Sequence, residues 1–325
     1  DIEDRAPVSI AQLLRDIPGV QISEEGIERI SIRGETPRRI AIFLDGQKLT
    51  DHTEYGQPVM VDPTTIERIE IVRGASSVIS GSSATGGVIN IITKKGADKP
   101  ISLSTSAGYF SATRGYRASA ALAGTLDSGP GTLDYNLHLG RMEQGDRRTP
   151  DGRLASSDVN DRNISGHLGY RLHDHEFGLK LQRYDVAASV YTGQPGFEVS
   201  LPKRDFRKAM AYYEGSHLAP WLIKLSASAW RQTVDREFMS DITNAAGPAT
   251  IGVVARSFDD QATHGADLHA EMRFSSRSRT VAGLEWEDDR LTSDKETATT
   301  RTPPGITAVS TAHDRAGIRT WSLYG

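Results

Sequence analysis

Hydrophobic and polar positions keep two different rhythms along this chain, and the change falls close to residue 97. In the first stretch Ile10, Leu13, Leu14 and Ile17 recur at i, i+3, i+4 and i+7, which predicts an amphipathic helix over residues 9–17 that Pro18-Gly19 stops. Strands are predicted at Val20-Gln21-Ile22, over residues 29–33 and over residues 39–44, the last closed by the turn pair Asp45-Gly46. Asp62-Pro63 has the form of a helix start, an acceptor side chain at the cap with proline at the first helical position. Residues 66–73 alternate as a strand up to Gly74, and Val88, Ile89, Ile91 and Ile92 mark a buried strand after the pair Gly86-Gly87.

Beyond Lys94-Lys95-Gly96 the period becomes two and helix signals stop. Leu133, Tyr135, Leu137 and Leu139 alternate with Asp134, Asn136, His138 and Gly140. Ile164 to Leu172 and Ala266 to Phe274 repeat the pattern, with His167, Asp267 and His269 among the polar members. Similar runs near residues 101–110, 115–126, 175–187, 205–217, 222–234, 279–291 and 313–324 bring the expected total to roughly ten strands. Most run to about ten residues, near the 9 to 11 that cross a membrane at a tilt and above the usual globular strand of about 5 to 6. Short connectors at residues 127–131 and 173–174 alternate with long polar ones at residues 144–160, 188–204, 235–259 and 292–312. That rhythm fits an outer-membrane barrel, with its short turns on one side and long loops on the other; a soluble antiparallel sandwich is the alternative.

Composition narrows the classes. No run approaches the roughly 20 apolar residues of a helical span, while a mean hydropathy of -0.42 suits strands with one wet and one greasy face. Cysteine is absent, so neither disulfides nor thiolate sites arise. A formal net charge of -4 gives no basic excess for nucleic acid. No serine-elbow, phosphate-loop or His-Glu-x-x-His motif is present, so no enzyme, catalytic residue or resident cofactor is expected. His173 and His175 sit at a short turn and read as solvated rather than as a metal site, and no metal is expected. Glu285, Glu287, Asp288 and Asp289 read as lumen or loop charge. The acidic start Asp1-Ile2-Glu3-Asp4 is not a leader, so the chain is expected to be mature, truncated or both.

Four ordered blocks carry a resemblance. They are residues 13–20 (LLRDIPGV), residues 30–34 (ISIRG), residues 42–46 (IFLDG), and residues 66–78 continuing through residues 81–95. In order and spacing they resemble the plug of TonB-dependent outer-membrane receptors; Ser80 stands where the family more often has an aromatic residue. The resemblance implies an α+β plug domain at residues 1–97 followed by antiparallel transmembrane β-barrel strands at residues 98–325. About ten strands make an incomplete barrel beside the family's roughly 22. The chain is therefore expected to be a fragment, and the short TonB-contacting segment that usually precedes the plug in this family is not seen before Asp1.

The function so implied is TonB-dependent import of an iron complex across the outer membrane of a Gram-negative bacterium. A ferric siderophore is the first expectation and a haem or haemoglobin receptor the alternative. A non-transporting barrel or surface binding module is the reading of a different class. Expected partners are the TonB energy-transducing complex, the iron chelate and outer-membrane lipid. Arg33, Gly34, Glu67, Glu70, Arg73, Gly74, Gly86 and Gly87 are implied to seat or shape the plug, although turn glycines and ordinary surface pairs explain each one singly. The apex loop supplies Lys48, His52, Tyr55 and Gln57 as ligand residues: His52 or Tyr55 for haem iron, or Lys48, Tyr55 and Gln57 for an anionic chelate.

Overall fold

The computed structural model describes residues 10–23, 29–32, 40–49, 61–73, 87–275 and 277–324. Its first part runs α1 (Ile10–Leu14), β1 (Val20–Ser23), β2 (Arg29–Ile32), β3 (Ile40–Leu44), β4 (Gln47–Lys48), a 3-10 turn (Pro63–Thr65), β5 (Ile66–Arg73) and β6 (Gly87–Thr93). Strands β1 and β2 pair antiparallel, and a four-stranded sheet follows the order β4-β3-β6-β5 with β3 and β6 parallel. The predicted helix is there but shorter, and Asp62 caps only a three-residue turn, accepting from the Thr64 amide at 2.8 Å. Among the described residues this first part is mostly sheet, with α1 its one α-helix. The Asp45-Gly46 turn forms as read, with both residues at positive φ (53° and 83°), the backbone that a tight two-residue hairpin turn requires.

Apolar residues at period two meet on one side of these strands and bury themselves. Ile32, Leu44, Ile89 and Ile91 have no exposed surface, and Ile10, Leu13 and Leu14 close the core from α1. Phe206 and Val234, from far along the chain, complete the same cluster.

The rest of the chain is one antiparallel wall. Its strands are β7 (Ser102–Phe110), β8 (Gly115–Ser128), β9 (Gly131–Gln144), β12 (Val159–Leu172), β13 (His175–Val190), β14 (Phe197–Ser216), β15 (Leu222–Ala246), β16 (Ala249–Ser275), β17 (Ser278–Thr302) and β18 (Ile306–Tyr324). They pair in simple sequence order from β7 to β18, while β10 (Arg148–Thr149) and β11 (Gly152–Arg153) make a separate small hairpin in the loop between β9 and β12. Strands β7 and β18 are the two open edges. Three of the four predicted long loops are largely strand: β15 and β16 continue to a turn at residues 247–248, β17 and β18 to one at residues 303–305, and β13 and β14 leave only residues 191–196. Strand β16 alone has 27 residues, about 90 Å at roughly 3.3 Å each, so the later hairpins project well beyond any single bilayer-sized band.

Candidate functional site

The two faces of the wall are chemically opposite. On its outer face Leu137, Leu139, Ile164, Leu168, Leu179, Leu181, Leu268 and Leu284 are exposed. On its inner face Asp134, His138, His167, Lys208, Gln232 and Gln261 are buried. This inverts the usual arrangement of a soluble sheet and follows the alternation of the sequence in β9, β12 and β16. Strands β14 and β15 depart from it: Phe206 and Val234 point inward into the apolar core of the small sheet, and Met210 and Trp230 point inward into a separate cluster with Tyr212.

Three polar contacts tie the small sheet to the wall. The first is Asp62, with only 2% of its side chain exposed: it pairs with Arg117 of β8, accepts from Asn163 Nδ2 of β12 at 3.0 Å, and lies 3.6 Å from His138 Nε2 of β9. The second is Asp45, which accepts from Lys180 Nζ of β13 at 2.5 Å and from the Thr93 amide at 3.0 Å. The third is the edge strand β4. Lys208 donates to the Leu44 carbonyl and, at 2.9 Å, to Gln47 Oε1; Gln47 in turn donates to Ser228 Oγ at 3.2 Å, and Gln232 donates to the Lys48 carbonyl at 3.1 Å.

Burial pushes both carboxyls toward the neutral form, yet the neighbouring groups outweigh it. Lys180 and Lys208 hold Asp45 below the usual carboxylate range, and the His138 hydrogen bond with the Arg117 charge holds Asp62 well below it. A polar cavity of about 30 Å³ beside Asp45, Thr93, His167 and Lys180 has the size of a buried water site. Gly140 makes room for the first contact, since a Cβ there would stand 2.6 Å from Asp62 Oδ2. Asp62 was legible as a cap and Asp45 as a turn, but their wall partners lie 55 to 135 residues away and left no local signal.

The residues singled out by sequence are scattered. Glu67 and Glu70 are exposed and pair with Arg68 on their own strand, Glu70 also accepting from Asn90 at 3.1 Å; these contacts stay within the small sheet. Gly87 opens β6 opposite Ile40 at φ 146°, and Arg73 ends β5. Lys48 sits in β4, where its charge acts on Glu285 and Glu287 of the wall. Arg33, Gly34, His52, Tyr55, Gln57, Gly74 and Gly86 lie outside the described residues. His175 belongs to the outer face, its Nδ1 2.9 Å from the Tyr213 hydroxyl. Of the acidic run, Asp289 faces inward and accepts from Gln261 and Thr263, whereas Asp288 pairs with Arg290.

A small apolar-cored sheet locked by buried charge onto the polar face of an inverted antiparallel wall defines a plugged β-wall protein. Residues 1–88 match the family described as TonB-dependent Receptor Plug Domain. Over those residues, a little over a quarter of the chain, it is similar to the plug of TonB-dependent receptors. Among its relatives, the ferric enterobactin receptor PirA of Pseudomonas aeruginosa is 34% identical over 118 residues, 30% of this chain and 16% of that protein. A hemin receptor of Yersinia enterocolitica is 30% identical over 168 residues, 48% of this chain and 23% of that protein. In fold the chain resembles the copper transporter OprC, with a TM-score of 0.60 at 14% identity over 96% of this chain and 58% of that one. The chain thus spans about a quarter or less of these curated relatives and somewhat over half of the solved structure.

Proposed function

We propose that the chain is the plug and the first ten wall strands of an outer-membrane transporter of a Gram-negative bacterium, importing an iron complex by TonB-dependent movement of the plug. In this reading residues 1–97 are an α+β plug, residues 98–325 are transmembrane, and further strands close the open edges β7 and β18. An edge with unpaired backbone groups is not tolerated in hydrocarbon, which supports closure. The observation that carries the proposal is the inverted wall. Its exposed leucines suit lipid, while its buried inner charges hold a separate small sheet across the lumen. Such a sheet blocks passage unless it moves, and ion pairs are contacts that an applied force breaks and re-forms.

The cargo reading is a ferric siderophore bound by Lys48, Tyr55 and Gln57 at the plug apex, supported by the named ligand of the enterobactin receptor relative. Haem is the second reading, supported by the longer match to a hemin receptor. His52 separates them. A siderophore brings its iron fully coordinated, whereas haem offers an axial position to a histidine. In cells carrying the complete gene under iron starvation, His52→Ala is expected to leave siderophore-supported growth unchanged. Rescue of the unmutated strain by haem alone, abolished by His52→Ala, would replace the siderophore by haem; rescue only by cobalamin or copper would remove both.

A further inference from the structure

The outer face of the wall is uncharged only up to a definite line. On β9, β12, β13, β14 and β15, five neighbours in the sheet, the outward positions from the short-turn end upward carry no Asp, Glu, Lys or Arg. The first charged outward residue on each of these strands is then an arginine: Arg141, Arg162, Arg183, Arg207 and Arg231. The register places them side by side. Arg141 pairs with Arg162 and Arg183 with Arg207, while Arg183 stands opposite Ile164 and Arg231 opposite Ala209. The line therefore drops by one outward position between β12 and β13 and again between β14 and β15, as a level plane does when it crosses tilted strands.

All five are exposed, Arg141, Arg162 and Arg183 to 66%, 72% and 43% of their side chains. Three of them have carboxylate partners level with them or one outward position above. Arg141 pairs with Glu143, and Arg162 and Arg183 share Asp185 at 2.9 and 2.8 Å, so one acid serves two guanidinium groups. These pairs fix three of the arginines in place and leave much of their surface open, with Glu143 and Asp185 standing one outward position above Arg141 and Arg183. Next along the sheet, β16 has His264 at this level and β17 has Asp288, so the belt ends with β15.

The opposite rim of the band is built differently. Its outward positions carry Tyr170, Tyr213 and His175 with the stacked pair Trp221 and Phe274 and no arginine, the arginines at this end, such as Arg171 and Arg279, belonging to inward positions paired with Glu176 and Glu271. Arginines that merely lift their charge out of hydrocarbon would be placed at either rim. A one-sided row at the level where headgroups begin, with planar forks spaced one strand apart, matches phosphate oxygens.

We infer that Arg141, Arg162, Arg183, Arg207 and Arg231 form a binding belt for the phosphate groups of lipids in the leaflet on the long-hairpin side. The inference rests on the wall spanning a membrane. Its test uses the full-length receptor in nanodiscs that contain lipid A or lipid A stripped of its phosphates, with lipid retained through purification read by native mass spectrometry. The unmutated receptor is expected to keep the phosphorylated form about tenfold better than the stripped form. The five-fold Arg→Gln variant is expected to lose that preference while keeping the gel migration of a folded barrel. Equal retention of the two lipids by the unmutated receptor, a folded variant that keeps the preference, or displacement of the lipid by inorganic phosphate alone would overturn the belt. If the variant does not fold, the comparison in the unmutated receptor still decides. A receptor that does not enter nanodiscs at all defeats the membrane reading instead, which keeps the two failures apart.

Discussion

The small sheet and the wall solve the same packing problem with opposite answers. In β3 and β6 the apolar members of the alternation turn inward, and Ile42, Leu44, Ile89 and Ile91 make an ordinary dry core. In β9 and β12 the apolar members turn outward, and Asp134, His138 and His167 take the inner side. Period two says only that the two faces differ; what each face touches is decided by the rest of the fold. Where the two regions meet, both rules give way. Phe206 and Val234 of the wall turn inward to finish the core of the sheet, and Asp45 and Asp62 of the sheet turn outward into the charges of the wall.

The largest expected effect breaks that meeting point. Asp62→Ala removes the buried carboxylate that pairs with Arg117 and accepts from Asn163, a loss of about 3–5 kcal/mol. Chemical denaturation of the full-length receptor, followed by a probe on the plug, is expected to show the plug released at lower urea while the barrel signal stays in place. A plug midpoint equal to wild type would mean that Asp62 does not hold it. The same carboxylates set the pH range of seating. Because Asp45 and Asp62 titrate below their unfolded values, their contribution is complete above the unfolded pKa of about 3.9 and falls only as acid protonates them. The share of plug seating that Asp62→Asn removes is therefore expected to stay constant from pH 8 to about pH 5 and to shrink only in acid, and a share lost near neutrality would contradict this assignment.

A second comparison is confined to the wall. Leu268 faces outward and its neighbour His269 faces inward, 2.9 Å from Asp267. Leu268→Arg is expected to destabilise assembly in bilayers by about 2–4 kcal/mol near mid-membrane, and His269→Arg by much less. Equal losses would remove the case for a lipid face. The smallest effect belongs to Glu67→Ala, which deletes one exposed pair with Arg68 and is expected to change plug stability by less than about 1 kcal/mol. A larger change would support the seating role that the resemblance implied for it.

How much was legible follows from the range of each signal. The ten wall strands, the Asp45-Gly46 turn and the Asp62 cap are short-range patterns and could be read directly. The projecting ends of β15 to β18 could not. Segments such as Ser293 to Thr302 are polar on both faces, so strand and loop look alike once no greasy side remains. The seat was hidden for another reason: Asp62, Arg117, His138, Gly140 and Asn163 are brought together only by the wall register and carry no shared motif. Sequence pointed instead to Glu67 and Glu70, charges beside a familiar block whose partners proved to lie within their own sheet.

The central claim is that one face of this wall meets lipid and the other meets the plug, and the run from Leu133 to Arg141 tests it most directly. These 325 residues contain no cysteine, so single cysteines placed one at a time along the run in the full-length receptor can carry spin labels. In bilayers, labels at Leu133, Tyr135, Leu137 and Leu139 are expected to respond to lipid-soluble oxygen, while those at Asp134, Asn136 and His138 are shielded and immobilised against the plug. Equal exposure of both sets to a water-soluble nickel reagent would contradict the account.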